Sequence, residues 1–183
     1  MFNSKLKGFL LGTLLDKSLG KSLRKPLGMS LVILFTLVGC GEQSEQKMMV
    51  QQAVKIEQAD SCHLCGMTIS NFPGPKGESY TANQDNINKF CSTRDLFGFI
   101  LQPENKRQVK EVFVHDMSKT PWGQPNDEHF IDAKQAWFVI GSSKTGAMGQ
   151  TLGSFSTKSD AEIFAQEFGG KLYKFADITL ADL

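Results

Sequence analysis

The sequence divides at Cys40. Ahead of it stand six basic residues (Lys5, Lys7, Lys17, Lys21, Arg24, Lys25) against one acid, Asp16, and then an apolar run from Leu27 to Gly39. A basic stretch feeding a short apolar segment is the pattern of a secretory leader. The apolar run is shorter than the roughly 20 residues a helix needs to span a bilayer, so this segment targets the chain and does not cross a membrane. What remains to fold is 144 residues with 14 basic and 18 acidic side chains, a formal charge of −4 where the whole chain shows +1. A chain of that size buries roughly two thirds of its unfolded surface, enough for one core without disulfide staples. Its mildly acidic balance carries no electrostatic footprint for nucleic acid.

The leader ends in Leu37-Val38-Gly39-Cys40. This resembles the bacterial lipoprotein signal, in which a small residue precedes a Cys that is acylated and becomes the mature N-terminus. Acylation at Cys40 would anchor the protein to a membrane. Gly41-Glu42 lacks the Asp that resembles an inner-membrane retention signal, so the expected location is the outer membrane, facing the periplasm. Residues 40–59, polar and without apolar periodicity, read as a lipid-anchored tether. Met48 and Met49 fall in that tether and read as incidental.

Residues 60–183 read as an α+β domain of two similar halves, about 60–116 and 131–180. The first runs Met67 to Ser70, Tyr80 to Ala82 and Ile87 to Cys91 as strands, Thr93 to Leu101 as a helix, and Val109 to His115 as a strand. The second runs Ala136 to Gly141 (strand), a Gly-rich turn, Gly149 to Phe155 (strand), Ser159 to Phe168 (helix) and Lys171 to Phe175 (strand). β-Branched and aromatic residues carry the strands, and Ala161, Phe164, Ala165 and Phe168 recur at helical spacing before the stop Gly169-Gly170. Ser159-Asp160-Ala161-Glu162 reads as that helix's capping box. Phe90-Cys91-Ser92-Thr93 echoes Phe155-Ser156-Thr157, so each half reads as a ββαβ module and the pair as an internal duplication. Between them, Met117 to Phe130 reads as an exposed ordered loop in which Trp122 marks a partner contact or pins the loop to its own core.

The chemistry concentrates in Ser61-Cys62-His63-Leu64-Cys65-Gly66-Met67, with two thiols, an imidazole and a thioether close together. A redox Cys-x-x-Cys pair sits at a helix start, whereas the residues that follow here read as a strand. Zinc wants four N or S ligands, and Cys91, His115 and His129 are scattered single residues. A disulfide suits an oxidising compartment, yet acylation of Cys40 leaves an odd number of thiols. Soft thiolate and thioether donors select Cu(I). On a strand, Cys65 and Met67 would share a face, so that both sulfurs converge on one ion.

Cys-His-Leu-Cys-Gly-Met, Phe72-Pro73-Gly74-Pro75-Lys76, Ala136-Trp137-Phe138-Val139-Ile140-Gly141-Ser142, Gly146-Ala147-Met148-Gly149 and Gly169-Gly170 together resemble the NosL family, over most of residues 60 to 180. The resemblance implies a periplasmic Cu(I) chaperone supplying nitrous oxide reductase, with an ABC-type membrane complex as partner. It also implies a fold of two ββαβ modules, treble-clef-like and similar to organomercurial lyase. Its Cys-x-Met falls on Cys65 and Met67, and its second-half Met on Met148. Cys62 stays open between assisting, pairing with Cys91 and being idle. His63 and Met117 are further candidates, each with a plain reading as a surface imidazole and a strand-end hydrophobic cap. One ion per chain and one shared by a homodimer are both open. The competing reading is an enzyme, a membrane-anchored thiol-disulfide oxidoreductase in which Cys62 attacks and Cys65 resolves. Nothing else in the chain supplies a nucleophile–base pair or a phosphate-cradling Gly loop.

Overall fold

The computed structural model describes residues 51–183 except 83 and 85. The leader, Cys40, Met48 and Met49 lie outside the described residues.

Two antiparallel sheets carry the chain. In the first, β1 (Gly77–Thr81) is flanked by β2 (Asn88–Phe90) and β3 (Val109–His115), and β4 (Phe130–Asp132) extends the edge, giving the order β2-β1-β3-β4. In the second, β5 (Trp137–Ile140) is central between β8 (Gly153–Phe155) and β9 (Lys171–Lys174). A small hairpin, β6 (Thr145–Gly146) and β7 (Gly149–Gln150), interrupts the link between β5 and β8. Helix α1 (Thr93–Ile100) joins β2 to β3, with a short α2 (Pro103–Lys106) after it, and α3 (Lys158–Phe168) joins β8 to β9. Among the described residues no helix is long and apolar enough to cross a membrane.

The core is built around α1. Ser92 caps it by accepting from the backbone N–H of Asp95, and Leu96, Phe97 and Ile100 are buried. Gly77 of β1 lets the helix come close, because a Cβ there would lie 2.6 Å from Leu96. Phe97 meets Phe138 of the second sheet edge-on at 5.0 Å and Phe175 at 5.4 Å, so both sheets share one hydrophobic cluster. The Thr93 hydroxyl donates to the carbonyl of Leu152 at 2.6 Å, which ties the start of α1 to the segment ahead of β8. A smaller cluster of Val139, Phe155, Ala161 and Phe164 lies under α3.

Several expected elements differ. Met67 to Ser70 is not a strand: Thr68 makes only an isolated bridge with Ser61, and Ile69–Asn71 is a 3-10 turn. Its apolar and β-branched residues serve the core instead, where Ile69 is fully buried. The expected strand Gly149 to Phe155 breaks into β7 and β8, because Thr151 and Leu152 turn aside to meet Thr93. Helix α3 starts one residue earlier than expected and is capped by Thr157, not by a box at Ser159; Thr157 accepts from the N–H of Asp160 and donates to its carboxylate.

Residues 52–59, expected within the tether, are fastened across the first sheet. The Tyr80 hydroxyl donates to the carbonyl of Gln52, the N–H of Val54 donates to Glu78, Lys89 donates to the carbonyl of Lys55, and the N–H of Ile56 donates to Asp127. This strap seals Glu78 from water, and burial pushes its carboxyl up to about 7. Trp122 pins its own loop, stacking on Phe164 at 5.4 Å and donating to the carbonyl of Thr145.

Candidate metal centre

Strap and sheet meet at the loop Ser61 to Met67. The N–H of Cys62 donates to the carbonyl of Met67 and the N–H of Gly66 to that of Cys62, both at 2.8 Å, with Gly66 in the left-handed region at φ 74°. This tight return holds Cys62 and Cys65 on one side. Cys91, the last residue before the cap of α1, and Asp95, one turn into the helix, complete a cluster. The three sulfurs and a carboxylate oxygen of Asp95 all lie within 4.8 Å of one another.

The Sγ atoms of Cys65 and Cys91 are 3.5 Å apart, and the Cys91 thiol donates to Asp95 Oδ2 at 2.9 Å. The same oxygen lies 3.9 Å from Cys62 Sγ and 4.0 Å from Cys65 Sγ. Cys62, Cys91 and Asp95 are buried, whereas Cys65 is exposed, so the cluster opens to solvent at one edge.

The neighbouring Cys91 side chain, outweighing burial and helped by the N–H groups of Cys91 and Cys65, pulls the Cys62 thiol down to about 5. Cys91 is pushed above the usual thiol range by Cys62 in turn, then by burial and by Asp95. Desolvation, with the nearby Cys62 charge, raises Cys65.

Three convergent sulfurs suit a soft monovalent ion, and with the Asp95 carboxylate the cluster offers four donor groups, the number a zinc site uses. The sequence argument against zinc, that Cys91 is an isolated residue, is thus corrected. The argument that Cys65 and Met67 share a strand face is corrected as well. Met67 is half-buried against the main core cluster, and its N–H is directed at the Cys65 sulfur. His63 turns away from the sulfurs to sit edge-on to Phe99 at 5.0 Å and Phe90 at 5.9 Å. Met148 lies at the tip of the β6–β7 hairpin, 55% exposed, and Gly146, beside that turn, packs next to Ser92, the neighbour of Cys91. Met117 packs against the smaller cluster under α3. Cys91 as a metal donor and Asp95 were missed in the sequence; the local signal was a thiol just ahead of the Ser92 cap and a carboxylate in the first turn that follows it.

A mixed sheet-and-helix domain with a surface cluster of three thiols and a carboxylate defines a class of candidate metal-binding proteins. The family model for NosL matches residues 53–183, and the chain belongs to the NosL family. It is 40% identical over 153 residues to a copper-binding lipoprotein NosL of Stutzerimonas stutzeri, covering 84% of this chain and 79% of that protein. A second copper-binding lipoprotein NosL, from Achromobacter cycloclastes, is 32% identical over 120 residues, 64% of this chain and 62% of that one. The crystal structure of the copper chaperone NosL from Shewanella denitrificans superposes with a TM-score of 0.71 at 62% identity, covering 71% of this chain and 97% of that one. The role these names describe is that of a carrier, not an enzyme.

Proposed function

We propose that this protein is a lipid-anchored Cu(I) carrier whose cargo is held at the Cys62, Cys65 and Cys91 cluster. The observation that carries the reading is the convergence of three sulfurs within 4.8 Å at an edge open to solvent. Thiolate sulfur selects Cu(I) over harder ions. The exposed Cys65 edge is where a partner's donor can add before one of this chain's donors leaves, so that the ion passes without being released to water. Met67 beside the loop and Met148 on the neighbouring hairpin are the thioethers that join or relay the ion. His63 and Met117, engaged elsewhere in this conformation, stand behind them.

The copper passes to the assembly of nitrous oxide reductase through an ABC-type membrane complex, with Cys40 acylated and the protein held at the outer membrane facing the periplasm. The recurring strand-strand-helix-strand order supports two duplicated ββαβ modules, treble-clef-like and similar to organomercurial lyase. Support for delivery comes from the relatives' names and from the open edge of the cluster.

The test is an anaerobic Cu(I) titration of the full-length chain in detergent against a chromogenic chelator. Saturation at one ion per chain or per pair of chains, weakened by Cys65→Ser, by Met67→Ala and by Met148→Ala, is the expected result. Failure to hold Cu(I) against a weak chelator, with Cys62 and Cys65 found joined, supports the oxidoreductase reading instead.

A further inference from the structure

We propose that Cys65 and Cys91 form a reversible disulfide, a modification site that closes the copper cluster when the carrier is empty. Its effect on copper rests on the reading given above; the disulfide itself does not. The two Sγ atoms are 3.5 Å apart, already near van der Waals contact, so a bond of roughly 2 Å needs only a short approach. The exposures differ in the way a two-step exchange requires. Cys65 is exposed and can meet an external disulfide, whereas Cys91 has no exposed surface and is reached only from within the cluster. Cys62, the other neighbour, is 3% exposed and out of reach of an external disulfide.

The oxidant, by chemical class, is a protein disulfide of an oxidising envelope compartment. Cys65, at the exposed edge, gives its proton to solvent and its sulfur attacks one sulfur of that disulfide, forming a mixed disulfide and expelling the other sulfur as a thiolate, which takes up a proton. The Cys91 sulfur then attacks Cys65 Sγ, the mixed bond breaks, and the second external sulfur leaves as a thiolate. The Cys91 proton passes to Asp95 Oδ2, 2.9 Å away, and on to solvent. Two thiols of this chain are oxidised and one external disulfide is reduced to two thiols. The closed form removes two of the three thiol sulfurs from the cluster and so loses its hold on Cu(I), and exchange with a dithiol reopens it. Bound copper occupies the same sulfurs and blocks closure.

Reduced, metal-free full-length chain in detergent is exposed to oxidised glutathione and mapped by peptide mass spectrometry, with Cu(I) binding measured before oxidation, after it, and after re-reduction with dithiothreitol. The expected result is a Cys65–Cys91 linked peptide, loss of Cu(I) binding that dithiothreitol restores, and no linkage in copper-loaded protein. Cys91→Ser should stop at a glutathione adduct on Cys65, and Cys62→Ser should still close. A link through Cys62, or no intramolecular link in a chain that binds Cu(I) normally, overturns the inference and leaves the copper reading standing. A Cys65–Cys91 link that leaves Cu(I) binding intact overturns the proposed control and removes those two sulfurs from the copper site.

Discussion

The Cys91 thiol donates to Asp95 Oδ2 at 2.9 Å across the first turn of α1. Because Ser92 between them caps the helix, the geometry of this pair is set by the helix start and not by a flexible loop. Asp95 thus holds Cys91 in place in the metal-free cluster and lies within reach of all three sulfurs.

Asp95→Asn keeps the shape of the side chain and removes its charge. Cu(I) needs sulfur first, so its affinity should fall by no more than about tenfold, in the range typical of groups that support metal ligands. A divalent ion that uses the carboxylate should lose more, on the order of a hundredfold. Competition titrations with Cu(I) and Zn(II) on parent and variant check both; equal losses for the two ions would show that Asp95 acts on the sulfurs alone.

Glu78 makes folding pH-dependent. Its carboxyl is raised from 4.5 to about 7 by burial under the strap, so the native state keeps a proton that the unfolded chain releases. Its stabilising contribution is full below pH 4.5 and is lost as pH rises through 7, a loss on the order of 2–3 kcal/mol. His115 contributes with the opposite slope, since burial lowers its imidazole and its protonation in acid opposes folding. The difference between parent and Glu78→Gln isolates Glu78: denaturant unfolding at pH 5 and pH 8 should show the variant gaining on the parent at the higher pH.

Phe97 couples the two sheets through Phe138 and Phe175. Phe97→Ala should cost about 3–5 kcal/mol, the range for emptying a buried aromatic site, and should lower one cooperative transition without splitting it. Chemical unfolding followed by tryptophan fluorescence and by circular dichroism tests this, and two separated transitions would show that the sheets fold independently.

Gly77→Ala should destabilise by about 1–3 kcal/mol, the usual cost of overpacking. The added Cβ would meet Leu96 at 2.6 Å from one atom and 2.8 Å from another. Leu96→Ala in the same chain should recover part of the loss, because it removes the atoms that clash; additive losses in thermal unfolding would place the cost elsewhere.

Sequence periodicity located α1, β3 and α3 to within a residue, since apolar spacing and polar caps are local signals. The Met67–Ser70 segment misled because a β-branched, apolar stretch looks like a strand whether or not a partner strand pairs with it. Cys62 and Cys65 stood out as a spaced pair. Cys91 did not, because a single thiol acquires meaning only when β2 and α1 bring it 3.5 Å from Cys65. Residues 52–59 read as tether for the same reason: their anchors, Tyr80, Glu78, Lys89 and Asp127, lie on distant parts of the chain.

Copper K-edge X-ray absorption of the Cu(I)-loaded chain, parent against Cys91→Ser, tests the central claim most directly. The account predicts a shell of at least three sulfurs that loses one in the variant. A shell left unchanged by Cys91→Ser, or one dominated by nitrogen and oxygen, would contradict it.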